Sequence, residues 1–129
     1  MRLNLYLTQE ILYPKEIKQD LTLRAKNTNI IDTFYYDEND NSIDITGDTI
    51  FFTIKNNPTD TDESAVLKKT ITDLTDPSNG EAEIELSSTD TSSLLGNYLY
   101  DIKIKHDEKF YTVSEGNICF QKSLTIRES

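Results

Sequence analysis

Between residues 97 and 105 every second side chain is apolar, with Tyr98, Tyr100, Ile102 and Ile104 falling on one side and Asp101, Lys103 and Lys105 on the other. A strand sends successive side chains to opposite faces, whereas an amphipathic helix repeats every 3.6 residues, so this pattern constrains the segment to a β-strand. The same alternation sets Ile50, Phe52 and Ile54 against Phe51, Thr53 and Lys55, and Ala82, Ile84 and Leu86 against Glu81, Glu83 and Glu85. It continues through Leu21, Leu23 and Ala25, and through Ile118, Phe120, Leu124 and Ile126, with Lys122 interrupting. Strands with one wet and one dry face belong to antiparallel sheets packed on one side.

The pattern predicts strands near 17–26, 33–37, 48–55, 65–72, 81–86, 97–105, 109–114 and 117–126. Turn residues separate them: the polar stretch 37–47, Asn56-Asn57-Pro58, the cluster at 76–80, and a connection at 105–108 short enough for a hairpin. A single helical turn is expected in 88–96, where a capping serine precedes two leucines and a glycine stop, crossing between sheets. Seven to eight short strands without a long helix predict an all-β, immunoglobulin-like antiparallel sandwich. The chain has no Trp and one Cys, which excludes the antibody type of that fold. Its 129 residues suffice for one core. The expected organisation is residues 1–16 as an N-terminal arm or extra strand and 17–129 as the sandwich domain. Tyr13-Pro14 marks off the arm, and Leu3, Leu5 and Leu7 alternate within it.

The formal net charge of −10 argues against nucleic acid and anionic membrane surfaces as partners, because both are bound largely through Lys and Arg. The charge is uneven. Residues 1–31 carry five bases and three acids, residues 32–64 one base and nine acids, and residues 65–129 seven bases and eleven acids. If strands run up and down, the connections 37–47, 73–80 and 106–108 gather at one acidic pole, a field suited to orienting a partner. The alternative is that acidic loops serve solubility and block edge-to-edge pairing. No signal peptide or spanning segment is visible, so folding in a reducing cytoplasm is expected.

Candidate chemistry is sparse. The loop 37–48 places oxygen donors at 37, 39, 41 and 48 in the manner of a calcium loop, but Ser42 stands where such loops need Gly and strands flank it. The competing reading is a polar loop whose Asp and Asn side chains form turns. His106 beside Asp107 and Glu108 reads as an exposed hairpin residue rather than a general base, and Cys119 between Ile118 and Phe120 as a half-buried strand residue rather than a nucleophile. One His and one Cys cannot build an ordinary structural zinc site, so no metal and no cofactor is expected. Glu81, Glu83 and Glu85 read as a solvated face and not as glycosidase carboxylates. No catalytic motif is present, and the chain is not expected to be an enzyme. Tyr35, Tyr36 and Tyr111 are candidates for a sugar-stacking row, which keeps a carbohydrate-binding adhesin module as an alternative; an acidic inhibitor mimicking nucleic acid is another.

From residue 17 to about 126 the chain resembles the immunoglobulin-like N-terminal domain of the phage baseplate upper protein and its single-domain relatives. The resemblance rests on DLTLR at 20–24, DITGDTIFFTIK at 44–55, AVLKKTIT at 65–72, NGEAEIEL at 79–86, TDTSSLLGNYLYDIKIK at 89–105 and FYTVSEG at 110–116. It departs from that family in its leading arm and in the expected absence of a following fibre domain. The resemblance implies a non-catalytic virion structural protein, assembled in the host cytoplasm, that docks to tail, baseplate, neck or capsid components and self-associates or joins a larger complex. Leu3, Leu5 and Leu7 are the candidate protein-binding residues, adding a strand to a neighbour's sheet edge; the alternative is that they pair within their own domain.

Overall fold

The computed structural model describes residues 1–7, 18–37, 39–57 and 59–122. Among these, eight strands run in chain order: β1 (Arg2–Tyr6), β2 (Leu21–Arg24), β3 (Asn29–Tyr36), β4 (Thr49–Lys55), β5 (Leu67–Ile71), β6 (Glu81–Leu86), β7 (Gly96–His106) and β8 (Lys109–Gln121). They form a smaller sheet ordered β1-β3-β6 and a larger one ordered β2-β8-β7-β4-β5. The expected all-β immunoglobulin-like sandwich is what forms, antiparallel as expected except where β1 joins β3 and β2 joins β8 in parallel. The dry rows of the two sheets face each other: Leu5, Ile31, Tyr35, Ile84 and Leu86 from the smaller, Ile50, Phe52, Ile54, Ile102, Ile104 and Phe120 from the larger, all buried.

Of the two alternatives for the leading residues, a free arm or an extra strand, β1 takes the second. It pairs in parallel with β3, Leu3 opposite Thr33 and Leu5 opposite Tyr35, and it turns Leu3, Leu5 and Leu7 into the core. The leucines expected at a docking surface are therefore core residues of their own sandwich, because an alternating apolar row is buried most cheaply against the nearest unpaired edge, here β3. The boundary expected between 16 and 17 lies outside the described residues, as do positions 124 and 126 of the last expected strand.

Two further differences have local causes. β3 starts at Asn29, earlier than expected, because adjacent Ile30 and Ile31 hide the alternation; Ile31 is buried while Ile30 is exposed on the opposite face. The strands expected at 109–114 and 117–126 are one continuous strand, β8. Its register with β7 shifts between Ile102 and Lys103, and consecutive Val113 and Ser114 are both buried, the signature of a bulge. The Tyr100 hydroxyl lies 2.7 Å from Ser114 Oγ and donates to the Gln19 carbonyl at 2.6 Å, tying the bulge to the segment ahead of β2. Burial pushes the Tyr100 phenol up to about 12. Gly116 completes this junction: a Cβ there would stand 2.5 Å from the Gln19 carbonyl oxygen, too close for any side chain.

The helical turn α1 (Ser88–Thr91) crosses from β6 to β7 as expected, capped by Ser87 in a reciprocal capping box with Asp90. Buried Thr91 donates to the Asn27 carbonyl and anchors the turn on the β2–β3 connection. The β7–β8 hairpin turns through Asp107 and Glu108, both at positive φ, as a tight hairpin loop requires.

Candidate functional site

Since the inner rows make the core, the outer rows decide what the molecule can meet. On the smaller sheet the outward positions pair across β3 and β6 as Ile30 with Glu85, Asp32 with Glu83 and Phe34 with Glu81. Asp32 and Glu83 are like charges placed directly opposite, an arrangement that destabilises a sheet. Arg2 stands opposite Asp32 in register, yet its guanidinium lies over the Phe34 ring at 3.9 Å and donates to the Tyr36 hydroxyl at 3.4 Å. Among the described residues, no cation lies within ion-pair distance of Asp32, Glu83 or Glu85. Tyr6 packs beside Tyr36 with ring centroids 5.6 Å apart, so the acidic face carries a half-buried aromatic border.

Part of the outer face of the larger sheet has the opposite sign. Lys103 and Lys105 on β7 and Lys68 on β5 surround Phe51, and Phe51 packs on Phe110 with centroids 6.1 Å apart. Phe110 is 64% exposed, the most exposed large apolar side chain among the described residues. The Lys105 ammonium lies 5.8 Å from its ring and 3.7 Å from the Glu108 carboxylate. Phe51, Lys68, Lys103, Asp101 and Phe110 help line a shallow hollow of about 370 Å³. Lys69 does not join this row. It sits at an inward position and its ammonium meets Asp90 of α1 at 2.6 Å. Lowering of the Asp90 carboxyl follows first from that contact and then from the Ser87 backbone N–H. A second hollow of about 480 Å³ lies further along the face, where Lys18, Lys55, Asp20, Asp101 and Glu115 mix both signs.

At one end of the sandwich the three acidic connections meet. Ile45 N–H donates to the Pro77 carbonyl, and His106 Nδ1 lies 2.6 Å from Asp48 Oδ2. His106 is thus a half-buried partner of Asp48 and not the exposed loop residue expected. Burial raises the Asp48 carboxyl above its ordinary value, and His106 offsets part of that rise. In the 37–48 loop, Asp37 Oδ1 accepts from the backbone N–H groups of Asn39 and Asn41, and Asp44 accepts from Thr46. These carboxylates are engaged as turn formers, the competing reading of that loop; position 38 lies outside the described residues.

The remaining candidates divide. Tyr35 is fully buried, which removes it from any sugar-stacking row; desolvation pushes its phenol far up, and its hydroxyl lacks a hydrogen-bond partner among the described residues. Tyr36 stays half-buried on the acidic face, and Tyr111 is half-buried against the core. Cys119 is half-buried on β8, as its alternation indicated. Glu81, Glu83 and Glu85 line one outer face as expected, but the sequence alone did not single out Phe34 beside them, or Phe51, Phe110 and Lys68 on the other outer face. The available signal was an aromatic residue at an outward position of an alternating strand.

No protein-family model matches the chain, and no curated protein matches it. Among solved structures, the sandwich is similar to the N-terminal domain of phage TP901-1 ORF48, with a TM-score of 0.52 and 12% identity over 94% of this chain and 98% of that one. Auracyanin A, a blue copper protein from Chloroflexus aurantiacus, aligns over 94% of this chain and 98% of its own at a TM-score of 0.45 and 12% identity. At these identities the likeness is one of fold: the chain is an immunoglobulin-like sandwich with one acidic outer face and another that is basic in part.

Proposed function

We propose that this chain is a non-catalytic structural module of a bacteriophage virion that docks to tail, baseplate, neck or capsid components through protein–protein contacts. The observation that carries this reading is the near end-to-end likeness to a phage TP901-1 ORF48 domain. The order of sequence motifs between 20 and 116 points the same way. The surface chemistry is consistent with a docking role, since both outer faces carry half-buried or exposed aromatic side chains, a residue type enriched in interaction surfaces. Its partners are other virion proteins and further copies of itself, with neither nucleic acid nor membrane, and it acts without a cofactor. Mass spectrometry of purified particles from the genome that encodes the chain is the test. A stoichiometric amount in particles is expected; absence from them would reject the reading and favour an acidic inhibitor of a host enzyme.

A second reading has its own observation. Tyr6, Tyr36 and Phe34 form an aromatic border beside carboxylates, the arrangement of a sugar-stacking platform. A glycan array probed with the purified chain decides it, and loss of any signal in Tyr36→Ala would locate the platform.

A further inference from the structure

We infer that the basic part of the outer face of the larger sheet docks the acidic outer face of the smaller sheet on a second copy of this chain, so that copies stack head to tail. The inference deepens the assembly reading by naming the partner, and it stands on three features of the faces. First, the part of the larger face around Phe51 and the smaller face are complementary in sign: Lys68, Lys103 and Lys105 against Asp32, Glu81, Glu83 and Glu85, with Asp101 and Glu115 further along the larger face and Arg2 on the smaller as the exceptions. Second, the spacing agrees. Glu81, Glu83 and Glu85 are alternate residues of β6, and Lys103 and Lys105 are alternate residues of β7, so both rows repeat at about 6.8 Å. Third, each charged field surrounds an apolar side chain that is largely exposed in one copy, Phe110 at 64% and Ile30 at 44%.

The acidic face also contains a like-charge pair that the described residues leave without an ion-pair partner. Asp32 opposite Glu83 costs sheet stability, and among the described residues no cation relieves it. A lysine row delivered by a neighbour supplies that relief and fixes register. A nucleic acid is the weaker occupant of the basic face, because its phosphates would also approach the carboxylates that give the chain its net −10. Two different faces in contact make a heterologous interface, which closes into a ring or continues as a filament according to the rotation between copies. The smaller face limits the contact area, so the association is expected to be weak and concentration-dependent.

Sedimentation velocity on the full chain tests this, with a concentration series at about 20 mM salt and again at about 500 mM. Oligomers that grow with concentration at low salt and dissociate at high salt are expected. Lys68→Glu with Lys103→Glu, and separately Glu83→Lys with Glu85→Lys, should each weaken self-association by about 100-fold or more, since like charges then meet. Mixing the two variants in equal amounts should restore association, which also shows that both are folded. A wild-type chain that stays monomeric, association unaffected by either reversal, or a mixture that does not reassociate overturns the inference. So does binding of a short DNA oligonucleotide to the lysine face without self-association. None of these outcomes alters whether the chain is found in particles, so the two ideas fail separately.

Discussion

On the smaller sheet the residues that look outward are Asp32, Glu81, Glu83 and Glu85 with Ile30 and Phe34; on the larger they are Lys68, Lys103 and Lys105 with Phe51 and Phe110. Both rows obey the same alternation, and both cover an inner row that is buried. The difference lies in how each face treats its own charges. On the larger sheet Lys103 stands beside Phe51, Lys105 meets both the Phe110 ring and the Glu108 carboxylate, and the carboxylates that face one another there, Asp101 and Glu115, share a hollow with Lys18 and Lys55. On the smaller sheet two carboxylates face one another across the strands, and the nearby Arg2 is engaged over an aromatic ring. The alternation protects the core equally well in both cases, so the segregation of sign between faces is not needed for folding. In the stacking proposed above, that segregation is what brings one copy's outer row against another's.

The largest test separates inner from outer rows one residue apart. Phe52→Ala should cost about 3–5 kcal/mol in urea or guanidinium unfolding, while Phe51→Ala should cost less than about 1 kcal/mol. Equal losses would mean that Phe51 belongs to the core and that the lysine face is not a surface. On the smaller sheet the corresponding pair is Ile31→Ala, about 2–5 kcal/mol, against Ile30→Ala, within about 0.5 kcal/mol.

Next in size is the junction that holds β2 against the larger sheet. Gly116→Ala forces a methyl against the Gln19 carbonyl and should lower stability by about 1–3 kcal/mol, read as a lower melting temperature. A variant as stable as wild type would show that the segment ahead of β2 can move aside.

A smaller effect distinguishes the acidic end from both faces. Because burial raises the Asp48 carboxyl above 3.8, the folded state holds that proton more tightly than the unfolded chain does. Its contribution to stability is therefore greatest at acid pH and is lost as pH rises through the raised value. Melting curves between about pH 3 and pH 7 should show a decline in the wild type that Asp48→Asn reduces. An identical profile in the variant would mean that His106 compensates the buried charge fully.

The smallest prediction returns to the comparison itself. Glu83→Lys turns the like-charge pair with Asp32 into an opposite-charge one and should stabilise the chain by about 0.2–1 kcal/mol, more at low salt than at high. The matching substitution on the larger sheet, Lys103→Glu, removes no such repulsion and should give no gain. If both variants respond alike, the contrast between the faces is not electrostatic.

Much of the fold was legible because alternation is a local property. Tyr100, Ile102 and Ile104 announce an inner row without reference to any other strand, and Glu81 to Leu86 was delimited to the residue by the glycine before it and the serine after it. Legibility failed where the alternation itself was interrupted. Ile30-Ile31 concealed the start of β3, and Val113-Ser114 split β8 in two, because a bulge puts consecutive residues on one side. The candidate site was less legible still. His106 was misread because its partner Asp48 lies 58 residues away in sequence, and Tyr35 because adjacent Tyr35 and Tyr36 point to opposite faces.

The sequence by itself determined which residues form strands, which side of most of them is dry, and the sign of several outer rows, since period two needs no knowledge of neighbours. The tertiary structure decided which rows stand side by side. Pairing β3 with β6 set Asp32 against Glu83, hydrogen-bonding β4 between β5 and β7 gathered Lys68, Phe51 and Lys103, and placing β1 along β3 turned three leucines inward. Strand partners are chosen by non-local backbone hydrogen bonds and by the volume the core must fill, and a slip of one residue in any register would exchange core for surface.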